Sequence, residues 1–447
     1  VRIVWIAAEA FPFVKVGGLA DVVGSLPRVL VGLGHDVTVI LPGYARIDAP
    51  STHAVRFDYA GTNHEAPVGE LREAGVRFLL PRVVGFEGPQ VYTGWQDGDR
   101  FLRFSAAAAA LADADVVHVH DWHAAVVPVL AAHGRVRCGA TVLTLHNVAH
   151  QGNLDADWFF AQTGLPRSLL TSEQLEFYGK VNLLKGAVVF ADAVTTVSPT
   201  YAGEIVTPEF GAGLDGVFRR HRDKISGILN GIDVDYWNPA TDPFLAAPFS
   251  AADPRGKELC SRALRDELGL SGRLLGCVSR LVEQKGIDLL VACLPEIVAA
   301  DCSVAILGTG DPELEASCEN AARKWRGRVS YSRGYDEALA HRIYAGADAW
   351  LVPSRFEPCG LTQMISQRYG TPPIAHAVGG LRDTIRDGET GFLFEGPDAA
   401  ALAAAVARFA SLRDLAPMRR AAMALDFSWT QSARRYESLY RGLVGAR

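Results

Sequence analysis

Short apolar runs recur along the chain at intervals that helical segments fill. In the first half they cover residues 3–8, 36–41, 76–80, 115–120, 141–146, 192–198 and 224–230. Several are nearly unbroken Val, Ile and Leu, the pattern of strands covered on both faces of a parallel sheet. Residues 19–32, 101–112 and 173–190 have helical length between them, and the alanine run 106–110 suits a helix interior, where alanine costs least. The opening Val1-Arg2-Ile3-Val4-Trp5 reads as a core strand rather than a secretory signal.

Near residues 231–256 the pattern breaks. Pro239, Pro243, Pro248 and Pro254 interrupt any regular element, so 236–256 reads as a linker. Strands then resume at 274–279, 303–308, 328–332, 347–353 and 373–376, with helices at 287–299, 312–326 and 361–369. Two successive alternating halves predict an α/β protein with two doubly wound, Rossmann-like parallel-sheet domains, 1–235 and 257–427. In the tail, 428–447, Trp429, Tyr436, Leu439, Tyr440 and Leu443 recur at helical spacing.

Composition narrows the function classes. A net charge of −6 gives no overall pull toward nucleic acid or an anionic membrane, and no apolar run is long enough to span a bilayer. Neither partner is expected. The cysteine count, seven, is odd, with no CxxC spacing, which is unlike a disulfide scaffold or zinc ribbon and suits a reducing cytoplasm.

Candidate chemistry gathers at strand ends, where open parallel sheets bind ligands. Lys15-Val16-Gly17-Gly18 follows the first strand and opens a helix. Its glycines permit close backbone approach and its N–H groups attract anions, although a tight turn with a surface lysine has the same pattern. His118-Val119-His120-Asp121-Trp122-His123 allows metal ligation, core histidines, or substrate contacts from Asp121 and Trp122. No distant cluster supplies further ligands, so no metal is expected. His146 ends the next strand and either donates to a substrate hydroxyl or caps the strand. Asn182 and Lys185 lie one helical turn apart, and Asn230-Gly231 closes the last strand of this half, where a simple turn would also serve. In the second half Arg280 and Lys285 follow a strand, two cations suited to a diphosphate that gains charge as its bond breaks; a salt-bridged surface loop is the alternative. Glu357 lies between an apolar strand and a helix start, placed to orient hydroxyls. Cys359 has no visible partner base and is expected to pack without reacting.

Lys15 through Val22, Leu145-His146-Asn147, Asn230-Gly231-Ile232-Asp233, Ser279-Arg280-Leu281 with Gln284-Lys285-Gly286, and residues 353–363 together resemble bacterial glycogen synthases and plant starch synthases. The likeness runs almost end to end. It implies the GT-B fold, with the two domains facing across a cleft and the tail crossing back to the first. It also implies transfer of glucose from ADP-glucose to the non-reducing end of an α-1,4-glucan, with retention and without metal or other cofactor. By the same resemblance Arg280 and Lys285 neutralise the diphosphate, and Lys15, Gly17 and Gly18 hold the donor from the first domain. Asn230 and the turn Cys359-Gly360-Leu361-Thr362 also serve the donor, and Tyr335 stacks near adenine. Glu357 holds glucose hydroxyls, His146 and Asp121 line the sugar, and Asn182 and Lys185 meet the acceptor. Retaining glycosidases use two nearby carboxylates. With no second one evident opposite Glu357, front-face displacement is expected. Other readings are a relative of the same fold that makes a small glycoside from a UDP- or ADP-sugar, a sugar-nucleotide epimerase, and an inactive glucan-binding relative; intact Arg280, Lys285 and Glu357 speak against the last.

Overall fold

The computed structural model describes residues 1–446. The chain forms two compact units: residues 1–231 joined by the helix Trp429–Gly445, and residues Ile232–Ser428.

In the first unit the strands are β1 (Arg2–Ile6), β2 (Asp36–Ile40), β3 (Ser51–Tyr59), β4 (Thr62–Glu73), β5 (Val76–Pro81), β6 (Asp113–His120), β7 (Arg137–Leu145), β8 (Asn153–Leu154), β9 (Glu176–Phe177), β10 (Lys180–Asn182), β11 (Ala193–Thr196) and β12 (Ile225–Gly227). Nine of them form one sheet in the order β12-β11-β7-β6-β1-β2-β5-β4-β3. From β12 to β5 every pairing is parallel; Trp5 of β1 sits in register with Val39 on one side and His118 on the other. Ile3, Val4, Trp5 and Ile6 are all buried, which explains the unbroken apolar run of a strand with helices on both faces. In the helix Gly18–Gly32, Leu19, Val22, Val23, Leu26 and Leu30 recur at helical spacing and are buried.

The second unit holds a parallel sheet of β13 (Arg273–Val278), β14 (Cys302–Gly308), β15 (Val329–Arg333), β16 (Ala349–Val352), β17 (Pro373–His376) and β18 (Phe392–Phe394), in the order β15-β14-β13-β16-β17-β18. Each unit is thus a doubly wound α/β layer.

Four expectations are corrected. The antiparallel hairpin β3–β4 extends the first sheet at an edge that the apolar runs did not mark. Its signal is alternation, with Val55, Phe57 and Tyr59 buried between exposed neighbours, and Ala60 and Gly61 both at positive φ in the turn. The helix expected over 173–190 is helical only at Leu183–Phe190; before it, β8, β9 and β10 make a small separate sheet. The helix expected over 287–299 is broken into Ile287–Ala292 and Leu294–Ala299 at Pro295, which has no N–H to continue the ladder.

The fourth correction concerns the expected linker, 236–256. It is packed into the second unit. Asp242 is buried, accepts a 2.6 Å hydrogen bond from the Tyr369 hydroxyl and lies 2.7 Å from His341 Nδ1. Trp237 stacks on the His341 ring at 4.3 Å. Buried Lys257 donates to the carbonyls of Ala345 and Ala347 and to the Thr371 hydroxyl. The passage between units therefore falls at Gly231 and Ile232. The tail returns to the first unit as the helix Trp429–Gly445, burying Trp429, Tyr436 and Tyr440.

Gly286 has φ +64°, and a Cβ there would lie 2.0 Å from the Pro353 carbonyl oxygen. Gly286→Ala is expected to cost roughly 2 kcal/mol or more by strain and displaced backbone. Gly32→Ala, with nothing within 4 Å, should be neutral or stabilising. Thermal unfolding of the two variants beside the parent checks this.

Candidate active site

Strand order fixes where ligands can enter each sheet. In the first unit β1 has β2 on one side and β6 on the other, so the loops after β1 and β6 diverge; in the second the same reversal lies between β13 and β16. Such switch points open a crevice at the carboxyl ends of the strands. Lys15 through Gly18 and Asp121 follow β1 and β6, and Arg280, Lys285 and Glu357 follow β13 and β16.

In the second unit the loop after β13 is zipped to the loop after β14. Leu281 N–H donates to the Thr309 carbonyl at 2.9 Å and Asp311 N–H to the Leu281 carbonyl at 2.7 Å. Arg280 emerges from this seam exposed, and its guanidinium has no hydrogen-bond or ion-pair partner among the described residues. Lys285 Nζ donates to Glu357 Oε2 at 2.6 Å, and the Ser354 hydroxyl donates to the same oxygen at 2.9 Å. Glu357 is buried, yet its Oε1 makes no hydrogen bond among the described residues and keeps its lone pairs available. Gly380 N–H holds the Glu357 carbonyl at 3.1 Å, and Arg355 braces the loop through a two-pronged pair with Asp288. Cys359 is buried; the Gln363 amide donates to the carbonyls of Cys359 and Gly360 and fixes the turn into the helix that Thr362 begins. Leu361 is that helix's N-cap. Tyr335 is 68% exposed, just before the helix Glu337–Gly346, and so accessible to a planar ring.

The first unit departs more from expectation. The Gly17 N–H, expected to face the donor, donates with that of Val16 to Glu9 Oε2, at 2.9 and 2.5 Å, while the Tyr92 hydroxyl donates to the other oxygen. Gly18 is the first residue of its helix. Lys15 Nζ is paired with Asp21 at 2.7 Å. Burial pushes the Asp21 carboxyl up against the pull of Lys15. Glu9, Tyr92 and Asp21 were missed by sequence reasoning, although Lys15 and Asp21 belong to one motif and Glu9 ends the first strand's apolar run.

Asp121 has φ +55° and ψ −171°, a conformation nearly confined to glycine that stores about 1–3 kcal/mol. Its buried carboxylate accepts hydrogen bonds from the backbone N–H groups of His146 and Asn147, at 2.7 and 3.3 Å. Desolvation pushes the carboxyl up to about 7 against these two donors. His146 Nε2 lies 3.0 Å from His120 Nδ1, and desolvation pushes the His146 imidazole down to about 3, so the ring is neutral. His118 is a satisfied core histidine, between the Tyr440 hydroxyl at 2.7 Å and the Thr144 hydroxyl at 2.6 Å. No three or more His, Cys, Asp and Glu side chains among the described residues cluster as metal ligands would.

Asn182 and Lys185 are corrected from acceptor contacts to structural residues. Asn182 is buried; its Oδ1 caps the helix at Lys185 N–H, and its amide donates to Gln151 and Asn153. Lys185 is also buried, its ammonium donating to the carbonyls of Ser172 and Glu176 at 2.6 Å each. Both side chains are engaged within the fold. Asn230 is buried with its Oδ1 unpartnered. A separate cavity of about 300 Å³, lined by Arg56, Tyr59, Ala106 and Arg135 among others, shares none of these residues.

Residues 2–220 match the starch synthase catalytic domain and residues 272–411 the group 1 glycosyl transferases. The glycogen synthase of Thermus thermophilus is 48% identical over 445 residues, covering 99% of this chain and 100% of that one. The chain belongs to the glycogen and starch synthase family. The glycogen synthase of Deinococcus radiodurans is 46% identical, covering 99% of this family member and 100% of its own length. The catalytic domain of starch synthase IV from Arabidopsis thaliana, bound to ADP and acarbose, superposes with a TM-score of 0.93 at 36% identity, with 99% of each chain covered. Sucrose-phosphate synthase from Thermosynechococcus elongatus shares the fold alone, at a TM-score of 0.65 and 21% identity. This member of the glycogen and starch synthase family is a glycosyltransferase with the GT-B fold, as the motifs implied.

Because the folded state raises the Asp121 carboxyl to about 7, ionising it costs stability as pH rises from the ordinary carboxylate range, about 4, to about 7. The same ionisation gives the His146 and Asn147 N–H groups a charged acceptor. Turnover is expected to fall on an acidic limb near pH 7. Asp121→Asn should flatten that limb, lose about tenfold in kcat, and remove the decline in stability between those pH values. Rate and unfolding profiles from pH 4.5 to 9 check both signs.

Proposed function

We propose that this enzyme elongates α-1,4-glucan chains, transferring glucose from ADP-glucose to the non-reducing end with retention of configuration. The observation that carries this reading is the unpaired Arg280 guanidinium on the loop that also bears Lys285, whose ammonium meets Glu357. A bare surface arginine beside a half-buried ion pair at a switch point is arranged for an anionic ligand. The starch synthase with which it superposes binds ADP, and the glycogen synthases it matches extend over their full length.

In this reading Arg280 and Lys285 gather the charge that grows on the departing diphosphate, so no metal or further cofactor is required. Glu357 turns its unspent Oε1 toward glucose hydroxyls, while its other oxygen stays with Lys285 and Ser354. A carboxylate so engaged is a poor nucleophile. The anomeric carbon therefore loses the diphosphate and gains the acceptor oxygen on one face, and a diphosphate oxygen takes the acceptor's proton. His146 and Asp121 serve the sugar from the first unit, and Asp121 acts through its grip on the 146–147 backbone. Lys15 and the Gly17–Gly18 turn, held in shape by Asp21 and Glu9, contribute to the donor with Asn230, Tyr335 and the 359–362 turn. The cytoplasm suits the chemistry: the seven cysteines are present as thiols, and no helix among the described residues is long and apolar enough to cross a membrane.

With ADP-glucose and a maltooligosaccharide, ADP release is expected only when both are present, and the product should show a mass ladder of single hexose steps. UDP-glucose tested in parallel decides the base preference. Arg280→Ala should lower kcat/KM by about a hundredfold or more without changing the unfolding temperature. Parent-level turnover by that variant would remove Arg280 from the diphosphate site, and a single addition in place of the ladder would indicate a small-glycoside enzyme.

A further inference from the structure

Three histidines meet at the ends of β6 and β7, and the family reading uses only one. His120 is fully buried, its ring 4.4 Å from Trp5 and 4.3 Å from His118. His118 is itself fixed by the hydroxyls of Tyr440 and Thr144, so the ring beside it has a rigid wall. Within these walls His120 Nδ1 faces His146 Nε2 at 3.0 Å, and His120 Nε2 has no partner.

A neutral imidazole carries one proton, so the pair can share its bond in two ways. If His146 Nε2–H donated, the His120 proton would sit on Nε2 as a buried N–H with nothing to accept it. If His120 Nδ1–H donates, the unpartnered atom is only a lone pair. Orphaned buried donors are the rarer and costlier defect. The second arrangement places the His146 proton on Nδ1. That nitrogen makes no hydrogen bond among the described residues, and His146 is only half-buried.

We infer that His120 is a positioning residue: its Nδ1–H holds His146 as the Nδ1–H tautomer, so that His146 offers a hydrogen-bond donor to a sugar hydroxyl rather than a base. Asp121 adds the second constraint by gripping the His146 backbone N–H at 2.7 Å. One residue fixes the ring's proton and its neighbour fixes the ring's root. The kinetic consequence rests on the reading of His146 as a sugar contact; the position of the proton does not.

Long-range proton–nitrogen spectra of histidine-labelled enzyme test the proton directly, with His146 assigned from the signals missing in His146→Gln. The Nδ1–H pattern is expected in the parent, and an Nε2–H pattern would overturn the inference whatever the activity. Two variants test the consequence. His120→Leu removes the donor and should lower kcat about tenfold with the donor KM changed less than about twofold, while His146 shifts toward Nε2–H. His120→Asn places an amide N–H near the lost Nδ1 and should recover most of that kcat and the Nδ1–H pattern. Equal rates for the Leu variant and the parent, or equal losses for Leu and Asn, would refute the positioning role. If the Leu variant does not fold, the parent spectrum decides alone. A parent with the Nδ1–H pattern but no ADP release would defeat the functional reading and leave the tautomer assignment standing.

Discussion

In each unit the sheet reverses its winding beside the first strand, and the loops that carry Lys15, Asp121, Arg280, Lys285 and Glu357 leave the sheet at that reversal. Connections leaving β1 toward β2, or β13 toward β14, run to one side, and the later strands return on the other. The loops at the reversal in the second unit are held close to one another. Main chain packs against main chain there, as where Gly286 meets the Pro353 carbonyl and Gly379 meets that of Glu357; a Cβ at either glycine would lie 2.0 Å from the oxygen. Backbone contact of this kind has little freedom, so the main chain fixes the points from which the Lys285 and Glu357 side chains reach each other.

The first unit solves the same problem with polar side chains in a dry place. Asp121, His120 and His118 occupy the top of β6 and the turn after it, where removal of water, more than any neighbouring charge, sets their protonation. Desolvation keeps the imidazoles neutral, and neutral rings are directional partners with one donor and one acceptor each. Glu9 adds a different constraint. It fills with a carboxylate the N–H groups of the glycine turn that the sequence offered to a ligand, so the turn's shape is set from inside the fold.

Strands buried on both faces were legible in the sequence because their apolar runs have no competing explanation, and the strand-end motifs were legible because glycine and charge rarely coincide by accident. The hairpin β3–β4 was not, since alternation between buried and exposed residues is a weak signal in a chain dominated by continuous runs. The segment 236–256 misled because proline density reports the absence of regular structure and says nothing about packing; Asp242 is buried against His341 and the Tyr369 hydroxyl. Asn182 and Lys185 misled for the opposite reason. Their spacing of one helical turn suggested a shared face toward a ligand, but the carbonyls that hold the Lys185 ammonium belong to loops whose course the sequence does not disclose.

The tail helix has a consequence for the order of events during synthesis. Tyr436 and Tyr440 roof the histidine shelf of the first unit, yet they are made after the whole of the second. Until they leave the ribosome, residues 1–231 carry an imidazole with a missing hydroxyl partner and an apolar groove open to water. The half of the enzyme translated first is thus the last to reach its final packing, and a ribosome stalled before residue 429 would hold a nascent chain that needs shielding.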